Sequence, residues 1–171
     1  MAVTADAVKT LREMTGAGFI ECKKALEESK ADIDAAAKAL IKAGVAKGMA
    51  LSAKRGDSDL NQGLIESYTH AGGRVGAMVE LNCATDFVAR TDEFKALAHN
   101  IAMQVAAMKP QFVAVEDAPE DFEGSREDVS LLEQPFIRDQ SKAVRDLIAE
   151  AVGKLGENIK IRRFSRFELG G

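Results

Sequence analysis

Nine residues near the middle of the chain set its architecture. Val75, Ala77, Val79, Leu81 and Cys83 are apolar at every second position, the period of a strand with one buried face. Residues 64–70 read as a second strand, and Ala71-Gly72-Gly73 between them as the turn of an antiparallel hairpin. The segments before and after this hairpin mostly carry the period of a helix. The expected class is therefore α+β: three N-terminal helices, then a small antiparallel sheet with helices packed on it.

The first 45 residues hold three short helices. Thr4 caps the first, whose apolar stripe is Val8, Leu11 and Met14. Thr15-Gly16-Ala17-Gly18 breaks it with a tight turn. The second runs over residues 19–29. Asp32 caps the third, with Ile33, Ala36, Ala37, Leu40 and Ile41 on one stripe and Gly44 as its C-terminal stop. Residues 45–61 show no strong stripe and read as a short helical or irregular tether, dividing the chain into domains 1–52 and 53–171. Beyond the hairpin, Thr91 or Asp92 caps a helix with Phe94, Leu97, Ala98, Ile101, Val105 and Met108 inside, stopped by Pro110. Ser141 caps another, with Val144, Leu147, Ile148, Ala151, Val152 and Leu155 inside and Gly156 at its end. Residues 159–169 form a last strand. The acidic stretch 116–139 receives no assigned structure.

Function classes narrow by subtraction. Lys plus Arg number 23 against 27 Asp plus Glu, a net charge of −4, which argues against a dedicated nucleic-acid binder. The charge is blocky. Residues 1–55 carry ten basic and seven acidic side chains, residues 116–139 two and nine, and residues 154–171 five and two. Such faces can orient a docking partner. Two cysteines make neither a disulfide framework nor a zinc site. The sequence has no apolar run of about 18 residues for a membrane span, and its N-terminus lacks the pattern of a secretory signal. A cytoplasmic location is expected.

No GxxxxGK[ST] loop occurs, and Gly72-Gly73-Arg74-Val75-Gly76 joins two strands rather than a strand to a helix. His70 and His99 fall in different elements and read as surface residues. Cys22 and Cys83 read as small core residues. No nucleophile, base and orienter can be assembled, so the expectation is a binding protein, not an enzyme, with no cofactor and no metal site. One connection stands out. In Thr85-Asp86-Phe87-Val88 a charge adjoins a large aromatic between a strand and a helix, a plausible binding loop. For a phenylalanine the commoner outcome is packing beneath such a loop into the core.

Four ordered segments resemble the elongation factor Ts family, the nucleotide-exchange partners of elongation factor Tu. They are Leu11-Arg12-Glu13-Met14-Thr15-Gly16-Ala17-Gly18-Phe19-Ile20-Glu21-Cys22-Lys23-Lys24-Ala25-Leu26, Val79-Glu80-Leu81-Asn82-Cys83-Ala84-Thr85-Asp86-Phe87-Val88-Ala89-Arg90, Leu131-Leu132-Glu133-Gln134-Pro135-Phe136, and Lys154-Leu155-Gly156-Glu157-Asn158-Ile159-Lys160-Ile161-Arg162-Arg163. The resemblance implies a ubiquitin-associated-like N-terminal domain. It implies that Arg12, Phe19, Ile20 and Lys23 touch the nucleotide-binding domain of elongation factor Tu, with Phe19 and Ile20 sharing that task with closing the small core. It also implies that Thr85, Asp86, Phe87 and Val88 form a second contact, where Asp86 and Phe87 disturb the partner's magnesium site and promote GDP release. The partner is met both GDP-bound and nucleotide-free. This reading reverses the expectation of a buried Phe87.

The chain resembles short family members, and a helical stretch usual before Leu131 is reduced to Glu127-Asp128-Val129-Ser130. A sheet of one hairpin and one terminal strand leaves edges to be covered, so a homodimer is expected. It owes nothing to a disulfide, because Ser165 stands where some short members carry cysteine. The competing reading is a three-helix adaptor or chaperone-like binding protein on an α+β scaffold, without exchange activity. The Thr85–Val88 segment discriminates between them.

Overall fold

The computed structural model describes residues 3–54 and 60–170. Helix α1 spans Ala5–Thr15. The Thr4 hydroxyl accepts the Ala7 N–H at 3.2 Å, meeting one of the donors that a helix start leaves unpaired. Gly16, at φ 66°, closes the other end, its N–H donating to the Arg12 carbonyl at 2.8 Å. Helix α2 spans Phe19–Glu28, and the Glu21 carboxylate accepts the Gly18 N–H at 3.1 Å. Lys30 and Ala31 both adopt left-handed backbone, φ 53° and 67°, to turn the chain. Asp32 then accepts the Ala35 N–H at 3.0 Å and opens α3, Ile33–Lys54.

Val8, Leu11, Cys22, Ala25, Leu26, Ala36 and Ala37 form the buried cluster of this helical module. Met14, expected on the α1 stripe, is exposed, and Thr15 is buried instead. Positions 8, 11 and 15 follow the three-four spacing of one helix face. Thr15 is tolerated there because its hydroxyl donates to the Leu11 carbonyl at 2.7 Å.

Gly44 does not end α3. The helix continues to Lys54 through most of the expected tether, while 55–59 lie outside the described residues. Strands β1, Gln62–Thr69, and β2, Val75–Cys83, form the expected hairpin. A one-turn helix α4, Asp86–Ala89, precedes α5, Asp92–Met108, whose Thr91 cap accepts the Phe94 N–H at 3.2 Å.

The acidic stretch is ordered. It contains two short 3-10 turns, a one-turn α6 at Arg126–Val129, and a small hairpin of β3, Pro135–Phe136, with β4, Asp139–Ala143. Two buried amides hold it. Gln104 of α5 donates to the Pro135 carbonyl at 3.1 Å and accepts the Ile137 N–H at 2.9 Å, while Gln134 donates to the Asp128 carbonyl at 3.2 Å. Ser141 falls inside β4 rather than capping a helix, its hydroxyl donating to Asp139 at 2.6 Å. Helix α7, Val144–Leu155, starts three residues later, where the Asp146 carboxylate accepts the Ala143 N–H at 2.9 Å.

Strand β5, Ile159–Glu168, completes an antiparallel sheet of order β1-β2-β5. Leu81 pairs with Ile161 but Glu80 with Arg163, so Arg162 is an extra residue, a bulge. The bulge lets Ile159 and Ile161, and then Phe164, all turn to the core. The second core lies between this sheet face and α5 and α7, around Val79, Leu81, Phe94, Ile101, Val105, Val144, Val152 and Ile161. Each such side chain contributes roughly 1.5–3 kcal/mol on burial. Helix α3 packs along α7, joining the two cores.

Candidate functional site

The Thr85–Val88 connection is a capped helical turn. Thr85 Oγ1 accepts the Val88 N–H at 3.4 Å. The Glu157 carboxylate, just beyond α7, accepts the Thr85 N–H at 3.0 Å and its hydroxyl at 2.7 Å. The Cys83 thiol donates to the Thr85 carbonyl at 3.1 Å. Burial, and then the nearby Glu157 charge, push the Cys83 pKa up. Asp86 is paired with Arg90 at 2.9 Å.

Successive helical residues point about 100° apart, and this turn separates its residues accordingly. Phe87 is 81% exposed, whereas Val88 is 8% exposed and belongs to the core with Ala89. The residue-type expectation of a buried Phe87 is therefore corrected. Val88, expected at the contact, is turned inward and anchors the turn instead. Thr85 is half-buried in its hydrogen bonds.

The N-terminal candidates share the helical module. Arg12 lies exposed on α1, and Lys23 lies exposed on α2, 3.9 Å from Glu27. Phe19 and Ile20 open α2 at 57% and 81% exposure. The core face of α2 is carried by Cys22, Ala25 and Leu26, so neither Phe19 nor Ile20 closes the small core. Met14, on the other side of the Gly16–Gly18 turn, adds a third exposed apolar side chain that sequence reasoning placed inside. Its stripe position at 14 competes with 15, and only the packed module shows which one faces in.

Both cysteines are buried. His99 pairs with Glu66 at 2.9 Å, and His70 shares a hydrogen bond with the Tyr68 hydroxyl at 3.0 Å. Among the described residues, no group of three or more His, Cys, Asp or Glu side chains could hold a metal ion, and no helix is long and apolar enough to cross a membrane.

A helical module and an α+β core thus each present exposed aromatic or aliphatic side chains at a short turn, Met14, Phe19 and Ile20 on the first and Phe87 on the second. The family model described as Elongation factor TS matches residues 8–127. The chain is 46% identical to Elongation factor Ts of Thermotoga neapolitana over 198 positions, covering 99% of this chain and 98% of that protein. It is 44% identical to that of Carboxydothermus hydrogenoformans, covering 98% and 89%. It is 45% identical to that of Coprothermobacter proteolyticus, covering 99% and 100%. The chain belongs to the elongation factor Ts family. The aligned spans exceed its 171 residues, so these relatives carry residues for which this chain has no counterpart.

Proposed function

We propose that this protein is the guanine-nucleotide exchange factor of elongation factor Tu in translation elongation, and that it acts in the cytoplasm by binding rather than by covalent chemistry. The observation that carries the reading is Phe87, held outside the core on a capped turn. A large aromatic held outward on a braced turn is the kind of anchor in which binding interfaces are enriched.

Residues 1–52, read as a ubiquitin-associated-like module, dock on the partner's nucleotide-binding domain through Arg12, Phe19, Ile20 and Lys23. Residues 53–171 bring Thr85, Asp86 and Phe87 beside its magnesium site. Two separate buried clusters support that division. Magnesium demands near-ideal octahedral geometry. Phe87 wedged against the loops that hold its water shell, with the Asp86 charge adjacent, spoils that geometry. The diphosphate charge is then less compensated and GDP leaves faster. The coupling is reciprocal: GDP weakens binding of the factor by the same ratio.

A thousandfold effect needs about 4 kcal/mol, and burying one phenylalanine supplies ~1.5–3 kcal/mol. The N-terminal module therefore contributes binding energy of its own. The factor is further read as a homodimer without a disulfide. Ile65, Met78 and Phe167 are exposed, Ser165 pairs with Met78, and β5 is a sheet edge; these features support a twofold partner.

Release of a fluorescent GDP analogue from elongation factor Tu tests the reading. The protein should accelerate release, and Phe87→Ala should remove most of the acceleration with an unchanged melting temperature. Normal exchange by Phe87→Ala overturns the wedge. Sedimentation equilibrium tests the dimer, which a single 18 kDa species at micromolar concentration would exclude.

A further inference from the structure

We propose that Glu157 is the positioning residue of the docking turn: its carboxylate, reaching across from the end of α7, fixes the orientation in which α4 presents Phe87. The inference rests on the exchange reading above.

Helix α4 is too short to hold itself. It has four residues, and helix nucleation is unfavourable without outside support. Its internal bonds are long, Ala89 N–H to the Thr85 carbonyl at 3.3 Å and Arg90 N–H to the Asp86 carbonyl at 3.2 Å. An exposed phenylalanine on such a turn would fold back onto apolar surface unless the turn were pinned. Val88 and Ala89 pin one side from the core. The Cys83 thiol, a weak donor, holds the Thr85 carbonyl. The strongest tie is Glu157, 72 residues away in sequence. Hydrogen bonds to an ionised acceptor are about twice as strong as neutral ones.

The chemistry of the acceptor also sets the polarity of the cap. A carboxylate accepts only. The Thr85 hydroxyl must therefore donate its proton to Glu157 at 2.7 Å, which leaves its lone pairs free for the Val88 N–H. The backbone N–H of Thr85 is satisfied by the other carboxylate oxygen at 3.0 Å. One side chain thus fixes both the direction of the cap and the start of the turn.

The location strengthens the assignment. Gly156, at φ 73°, ends α7 and places Glu157 at the exit of that helix. Three residues before Gly156, Gly153 is the point where α7 meets α3 of the N-terminal module. One short segment, residues 153–157, therefore carries both the contact with α3 of the N-terminal module and the carboxylate that ties α4. A site held within a fraction of an ångström gains from support of this kind, and a small misplacement costs rate rather than affinity.

The test is GDP-analogue release from elongation factor Tu, titrated to saturation with the full chain, so that maximal rate and half-saturating concentration are read separately. Wild type and Phe87→Ala serve as controls, alongside Glu157→Ala, Glu157→Gln and Thr85→Ser. Glu157→Ala should lower the maximal rate about tenfold or more, with the half-saturating concentration changed less than about threefold. Thr85→Ser keeps both donors to Glu157 and serves as the control for the amide readout in the free protein. Glu157→Gln keeps one acceptor oxygen and should fall between.

In the free protein, the Thr85 amide proton, bonded to a carboxylate, should resonate downfield in wild type and Thr85→Ser and move upfield in Glu157→Ala. A Glu157→Ala protein with an unchanged maximal rate overturns the positioning role. So does a loss seen only in the half-saturating concentration, or a Thr85 amide proton that does not move. Wild type that fails to accelerate release overturns the exchange reading itself, and the amide shift then reports the clamp alone as a structural contact. If Glu157→Ala does not fold, Glu157→Gln against wild type decides on the same two readouts.

Discussion

Gly153 of α7 crosses Gly44 of α3 so closely that a methyl group on Gly153 would lie 2.5 Å from the Gly44 carbonyl oxygen and 3.2 Å from its Cα. Both obstacles are backbone, which cannot swing aside as a side chain can. The absence of a side chain at Gly153 is what lets the two helices, and with them the two cores, lie together.

The crossing is asymmetric, and this can be tested. A methyl group at Gly44 would meet nothing within 4 Å. Gly44→Ala should therefore stabilise the protein by about 0.5–1 kcal/mol, the helix-propensity gain of alanine over an interior glycine. Gly153→Ala gains the same propensity but should push α3 off α7. The expected result is faster amide exchange along α3 and a larger radius of gyration by small-angle scattering. Equal behaviour of the two variants in denaturant titrations would contradict the crossing.

Gln104 is fully buried and ties α5 to Pro135, Ile137 and Gln134. Gln104→Ala strands several polar groups away from water, at roughly 1–3 kcal/mol for each one left unpaired. Chemical denaturation should show a loss of at least ~2 kcal/mol, and proteolysis should begin within residues 116–139. Retained stability would mean that the acidic segment is held by something else.

Ala31 sits at φ 67° with its N–H donating to the Leu26 carbonyl at 2.7 Å. Left-handed backbone costs a residue with a Cβ roughly 1–2 kcal/mol. Ala31→Gly should therefore raise the stability of the N-terminal module by about 0.5–1 kcal/mol after the added unfolded-state entropy of glycine is subtracted. An unchanged or lower midpoint for helix loss by circular dichroism would refute it.

Glu168 carries a depressed pKa, held below its ordinary 4.5 by the Lys109 ammonium at 2.7 Å and the Arg166 guanidinium at 2.8 Å. Since the folded value lies below the unfolded one, the unfolded chain binds the extra proton. The contribution is present above about pH 4.5 and is lost as pH falls through the folded value. Glu168→Gln should flatten the acid side of the stability profile below about pH 4.5, and 1 M salt should shrink the difference. A variant profile parallel to wild type across that window would show that the pair does not titrate with folding.

What was legible in the sequence was local. Thr4, Asp32 and Thr91 begin their helices as read, because a cap is a hydrogen bond over three residues. Strand β2 and its buried face were legible because a period of two is a property of nine consecutive residues. The four family segments lie in order along the chain for the same reason: a motif is read one residue after another.

Tertiary structure decided the rest. Gly44 has the look of a helix stop, yet α3 runs through it, because it meets Gly153 more than a hundred residues later. Arg162 breaks the apparent alternation of β5, and only pairing with β2 reveals it as a bulge that returns Phe164 to the core. Ser141 could cap a helix by type, but pairing of β4 with β3 claims it for a strand. Phe87 and Val88 are adjacent and both apolar, yet one is solvent-exposed and the other buried. That choice depends on which way α4 is turned, and α4 is turned by Glu157, Cys83 and the core beneath Val88. Caps and periods are set by neighbours in the chain. Facing, register and helix length are set by partners that folding brings near, and the energy that chooses among them is not present until those partners arrive.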